Sequence, residues 1–201
     1  VNVVFDIGGV LLDWSPARLL AQQGWDLSLA QPLFKHERWY RLDAGLDTRA
    51  QYERETAAAL SLDVERLRRL LDAMPHSLEP VEPVVDLLRQ LHAADTPIFV
   101  LSNMPDYVSA ALMARHDFLR LPTERVFSFE AKVNKPDPQI YRYFTERCGL
   151  AGSDCLFIDD SLPNLREAQA QGWQVAHLPD TRPGSIERLV QTLDGLGLPV
   201  A

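Results

Sequence analysis

Apolar residues in this chain follow two patterns, and the change comes at Leu78-Glu79-Pro80. Beyond that point short apolar runs alternate with stretches in which apolar residues recur every three or four positions. Pro97-Ile98-Phe99-Val100-Leu101, Val126-Phe127-Ser128-Phe129, Cys155-Leu156-Phe157-Ile158 and Gln174-Val175-Ala176-His177 read as strands. Between them the spacing predicts a helix through Val84, Leu87, Leu88 and Leu91. Further helices are expected over about 107–115, 139–148, 164–171 and 186–193, the last stopped by Gly195 and Gly197. Such alternation predicts an α/β fold, a doubly wound (Rossmann-like) parallel sheet with crossover helices. The stretch from about Ser15 to Pro80 reads instead as helices with no convincing strand. Thr48-Arg49-Ala50-Gln51 has capping-box spelling, and Asp63 caps a helix whose Val64, Leu67, Leu70 and Leu71 share one face. The expected organisation is a core domain of residues 1–14 and 80–201 with a helical insertion of residues 15–79.

The core starts with Val3-Val4-Phe5, a buried strand that runs into Asp6 and then Gly8-Gly9. A carboxylate at the carboxyl end of an open-sheet strand stands where α/β folds place their sites. The glycines can turn the following amides toward the same space as an anion-binding nest. A plain turn, Asp followed by Gly, is the simpler alternative on these residues alone.

Charge and length narrow the function. A net charge of −8 with no basic run argues against nucleic acid or an anionic membrane surface as partner. No apolar run approaches the ~20 residues of a membrane span, and no signal-peptide pattern opens the chain. Cys148 and Cys155 are too few for a disulfide framework and read as thiols in a reducing cytoplasm. Monomer and homodimer are both open.

Four polar sets then fall at or just beyond the ends of expected strands: Asp6, Ser102-Asn103, Lys135 and Asp159-Asp160. In a parallel sheet these ends share one edge, so the sets meet in one crevice. Carboxylates from two strands suit Mg²⁺, which takes oxygen ligands. A hydroxyl, an amide and a lysine suit the oxygens of a phosphate, with charge neutralised as Asp6 attacks phosphorus.

In this order, Asp6-Ile7-Gly8-Gly9-Val10, Ser102-Asn103, Lys135-Pro136 and Asp159-Asp160-Ser161 resemble the four motifs of the haloacid dehalogenase-like hydrolase superfamily. The resemblance covers nearly the whole chain, and the helical insertion looks like the family's small α-helical cap. It implies Asp6 as a nucleophile forming an aspartyl intermediate, and Asp6, the Gly8 carbonyl and Asp160 as Mg²⁺ ligands with Asp159 in support. It also implies phosphoryl binding by Ser102 and the Asn103 backbone, an orienting role for Lys135, and Asn164 near the metal shell. The group that looks most similar contains bacterial α-D-glucose-1-phosphate phosphatases, so a phosphatase of sugar phosphates and other small phosphorylated metabolites is expected.

One departure stands out. Most phosphatases of the family carry a second aspartate two residues after the nucleophile as general acid and base, and here that residue is Gly8. Dehalogenases of the family also lack it, since a halide leaves without a proton, but they do not keep the acidic pair. The alternatives are therefore a 2-haloacid dehalogenase-type hydrolase and a phosphometabolite-binding protein without turnover. In the insertion, His36, Arg38, Trp39, Tyr40 and Arg41 form a cluster that could read a substrate's sugar or carboxylate, and Trp14, just after the first motif, could line the entrance. Surface charge and packing between helices are the simpler roles for the cluster, and packing for Trp14. Lys132 is a rival to Lys135 by position, and Lys135-Pro136-Asp137-Pro138 favours the latter.

Overall fold

The computed structural model describes residues 1–200. Five parallel strands form the central sheet: β1 (Asn2–Phe5), β4 (Ile98–Ser102), β5 (Glu124–Phe127), β6 (Cys155–Asp159) and β7 (Gln174–His177), in the order β5-β4-β1-β6-β7. β1 is central, with Phe5 opposite Val100 on one side and Ile158 on the other. Alternate side chains enter opposite layers. Val3, Phe5, Val100, Leu156 and Ile158 belong to one apolar cluster. Val4, Phe99, Leu101, Phe157 and Trp173 belong to the other. Helices α6 (Glu82–Ala93), α7 (Asp106–Arg115), α9 (Pro138–Cys148), α10 (Leu162–Ala170) and α11 (Pro183–Gly195) link and cover the strands. This is the expected doubly wound fold.

Five helices precede them: α1 (Pro16–Gln22), α2 (Ala30–Phe34), α3 (Glu37–Asp43), α4 (Arg49–Leu60) and α5 (Val64–Ser77). The capping box on α4 is present, with Thr48 and Gln51 each bonding the other's backbone. Asp63 caps α5 by accepting from the Arg66 amide.

Two expectations need correction. The segment ending at Pro80 does contain a strand: β2 (Leu12–Asp13) pairs antiparallel with β3 (Glu79–Pro80), closing the chain on either side of α1–α5. Arg18 braces this junction by donating to the Asp13 carboxylate, to the Asp13 carbonyl at 2.6 Å and to the Ser77 carbonyl at 3.4 Å. The strand expected over 126–129 runs over 124–127 instead, and Ser128–Ala131 is a helical turn, α8. The turn forms because the Glu130 carboxylate accepts from the Phe127 amide at 2.9 Å.

Candidate active site

The carboxyl ends of β1, β4 and β6 deliver Asp6, Ser102 and Asp159 to one edge of the sheet. The Lys135 ammonium joins them, 3.0 Å from Asp6 Oδ1 and 2.7 Å from Asp159 Oδ2, and it donates to the Leu101 carbonyl at 2.9 Å. Its side chain is only 1% exposed. Burial alone would neutralise such a lysine, but the Asp159 and Asp6 carboxylates outweigh burial and raise its pKa, so it stays charged. Asn103 buckles this arrangement: its amide donates to the Lys135 carbonyl at 2.9 Å, and its Oδ1 accepts from the Lys135 amide at 2.8 Å.

Asp6, Asp159 and Asp160 have oxygens within 4.8 Å of one another. Asp159 is fully buried and committed, accepting from Lys135, from the Ser161 amide at 2.7 Å and from Asn164 at 3.1 Å. Asp6 and Asp160 instead line an open cavity of ≈ 320 Å³, together with Gly8, Ser102, Asn103, Lys135 and Asn164. Burial pushes Asp6 up to about 7, against the pull of Lys135 and with the added repulsion of Asp159 and Asp160. Burial and Asp159 raise Asp160 as well. Three carboxylates thus share one buried ammonium.

The Gly8-Gly9 turn departs from the expected nest. The Gly9 amide donates to the Leu12 carbonyl at 2.8 Å, and the Ile7 amide to Asp6 Oδ1 at 2.7 Å, so neither is free for a ligand. Gly9 is required for another reason. Its φ is +77°, and a Cβ there would lie 2.7 Å from Asp160 Oδ2.

A family model described as haloacid dehalogenase-like hydrolase matches residues 2–172. The chain belongs to this family. A sesquiterpene phosphatase of Aspergillus oryzae is 23% identical over 184 residues, covering 92% of each chain. An (S)-2-haloacid dehalogenase of Pseudomonas fluorescens is 31% identical over 135 residues, 67% of this chain and 58% of that one. In fold, the chain matches a family enzyme of Bacteroides thetaiotaomicron solved with magnesium and inorganic phosphate, at a TM-score of 0.70 and 21% identity. That match covers 88% of this chain and 92% of the other.

In this haloacid dehalogenase-like hydrolase the polar floor of the cavity faces a wall built largely from the segment between β2 and β3. Trp14, Phe34, Trp39, Tyr40, Met74 and Leu78 meet Met104, Pro105 and Val108 there. Of the aromatic and basic residues singled out in α3 and before it, Trp39 and Tyr40 reach the cavity. His36 caps α3, and Arg41 pairs with Asp47, so they do not. Arg38 is not in the lining either. Lys132 donates to the Gly45 carbonyl at 3.1 Å, away from Asp6. His177 contacts the Asp160 carbonyl at 3.1 Å.

Two charged lining residues were absent from the sequence reading, Lys35 and Asp43. A signal for Asp43 exists: it falls four residues after Trp39, on the buried stripe of α3, where a carboxylate has no ordinary place. No helix among the described residues is long and apolar enough to cross a membrane.

Proposed function

We propose that this hydrolase is a Mg²⁺-dependent phosphatase of small phosphorylated metabolites that works through an aspartyl-phosphate on Asp6. The observation that carries this reading is the Lys135–Asp6 pair at 3.0 Å beside the Asp159–Asp160 carboxylates. The donors are all oxygen and carry more negative charge than Lys135 balances, which suits a hard divalent cation. Asp6, Asp160 and the Gly8 carbonyl would hold it, and Asp159, already bonded, would position its neighbours. When bound, Mg²⁺ supplies charge neutralisation at the nucleophile and the phosphoryl oxygens.

The chain's own groups do the rest. Ser102 and the Asn103 backbone hold the phosphoryl group over Asp6, and Lys135 fixes the attacking oxygen. Asp6 then displaces the alcohol, and water hydrolyses the aspartyl-phosphate. Residues 15–79 act as a cap over the floor. Ser128, Lys132 and Asn134 pin its 40–45 segment to the core by bonds to the Asp43, Gly45 and Tyr40 carbonyls at 2.6, 3.1 and 2.6 Å. Closure of this kind excludes bulk water during transfer.

The alcohol half of the substrate is set by the wall. Hexose phosphates are the class implied by the sequence resemblance. The aromatic and aliphatic wall and the sesquiterpene phosphatase relative favour phosphates of more apolar alcohols. The test is phosphate release from both classes and from acetyl phosphate, with Mg²⁺ and with chelator. Mg²⁺-dependent release is expected. A second reading, 2-haloacid dehalogenation, draws on the Pseudomonas relative and on Gly8. Halide release from 2-haloacids without metal, and no phosphate release, would overturn the phosphatase in its favour.

A further inference from the structure

Asp43 has its carboxylate buried, with a hydrogen bond to Trp39 as its side-chain partner. It ends α3 and is 6% exposed, yet it lines the same cavity as Asp6. Among the described residues no ion pair reaches its carboxylate. Burial raises its pKa well above the usual carboxylate range, and the hydrogen bond with Trp39 opposes the shift only in part. Burial therefore favours its protonated form, which has one O–H to donate.

The groups around it do not reverse this. Tyr52 from α4 and Tyr107 from α7 both feel its charge, and both phenols are raised by burial. Arg49 lies over the Tyr107 ring and is bonded to Glu53 and Asp72. Lys35, at the end of α2, lines the cavity but is exposed. Asp6, Lys135 and Asp160 occupy the floor. A buried acid with no ion pair, in a cavity also lined by Trp14, Phe34, Met74 and Leu78, costs stability that leucine would not. Such a residue in a cleft marks a working group.

Its position is also tied to the phosphoryl floor. The Ser128 hydroxyl donates to the Asp43 carbonyl at 2.6 Å and accepts from the Met104 amide at 2.9 Å. Met104 directly follows Ser102-Asn103. Asn134, which holds the Tyr40 carbonyl, directly precedes Lys135. The two segments that build the floor therefore also hold the backbone of residues 40–43, which brings Asp43 to the same cavity.

We propose that Asp43 is the general acid of this hydrolase, supplied by the cap in place of the aspartate missing at position 8. The proposal rests on the phosphatase reading above. As the bond from Asp6 Oδ to phosphorus forms, the bond from phosphorus to the ester oxygen breaks, and its electron pair stays on that oxygen. The oxygen takes the Asp43 proton, and the alcohol leaves. The Asp43 carboxylate then accepts one proton from the water that attacks the aspartyl-phosphate. This releases phosphate and restores both side chains.

The test compares wild type with Asp43→Asn across phosphate monoesters graded from an acidic nitrophenol to an aliphatic alcohol. The loss in kcat/KM should reach about 10²–10⁴-fold on the aliphatic ester and shrink toward none on the nitrophenyl ester. The fall in kcat on the alkaline side of the wild-type pH profile should vanish in the variant. An equal loss on every ester, or no loss on the aliphatic one, overturns the assignment while leaving the phosphatase intact. No turnover of any ester by wild type overturns both.

Discussion

Gly9→Ala separates backbone strain from damage at the proposed cation site. Gly9 sits at φ +77°, where alanine carries a penalty of roughly 1–2 kcal/mol. For a chain of this length that strain should lower Tm by about 2–8 °C. Its Cβ would also lie 2.7 Å from Asp160 Oδ2, 2.8 Å from Cγ and 3.3 Å from Cβ. The whole carboxylate must therefore swing away, not just its tip. Gly24→Ala is the control, with φ +66° and nothing within 4 Å of its added Cβ. Both variants should melt lower through the strain they share. Only Gly9→Ala should need more Mg²⁺ for half-maximal phosphate release, by on the order of 10–100-fold, as when groups that orient metal ligands are removed. The assay is an Mg²⁺ titration of activity beside thermal melts. If Gly9→Ala and Gly24→Ala have the same Mg²⁺ requirement, placing the cation at Asp160 is refuted.

Three further outcomes follow from the geometry. A Cβ at Gly45 would meet Lys132 Nζ at 2.9 Å and Phe129 at 3.0 Å, so Gly45→Ala should loosen the cap and raise KM several-fold more than Gly24→Ala; an unchanged KM contradicts this. Asp43→Asn should stabilise the fold increasingly with pH. The native acid keeps its proton where the unfolded chain, with a pKa of about 3.9, has lost it, so wild-type stability is full below that value and falls as pH rises through the raised native pKa. Thermal melts should show a gap between variant and wild type that opens above about pH 4, and a gap that closes would contradict the buried neutral acid. A side chain at position 8 meets only ordinary contacts, with Trp14 Cβ at 3.6 Å. Gly8→Asp in the Asp43→Asn chain should therefore restore aliphatic-ester turnover by at least tenfold, measured as kcat/KM.

The alternation of apolar runs and helical spacing made the doubly wound sheet legible, because fully buried parallel strands read as continuous apolar segments. The strand ends also placed the polar sets on one edge. The β2–β3 pair was invisible because two residues per strand carry no periodicity. Ser128-Phe129 looked like more strand, and a side-chain bond from Glu130 turned it into a helix. The Gly9 amide was misjudged because its partner, the Leu12 carbonyl, is set by the turn itself and not by residue type. Asp43 was missed for a different reason: its burial and its cavity arise only when α3 docks on Ser128 and Asn134, far away in sequence.

The most direct test of the account is covalent. Wild type mixed with acetyl phosphate and Mg²⁺, quenched in acid within one turnover and mapped by mass spectrometry, should carry phosphate on the peptide containing Asp6, and Asp6→Asn should carry none and release none. Phosphate release by Asp6→Asn at the wild-type rate, or label on another residue, would contradict Asp6 as the nucleophile.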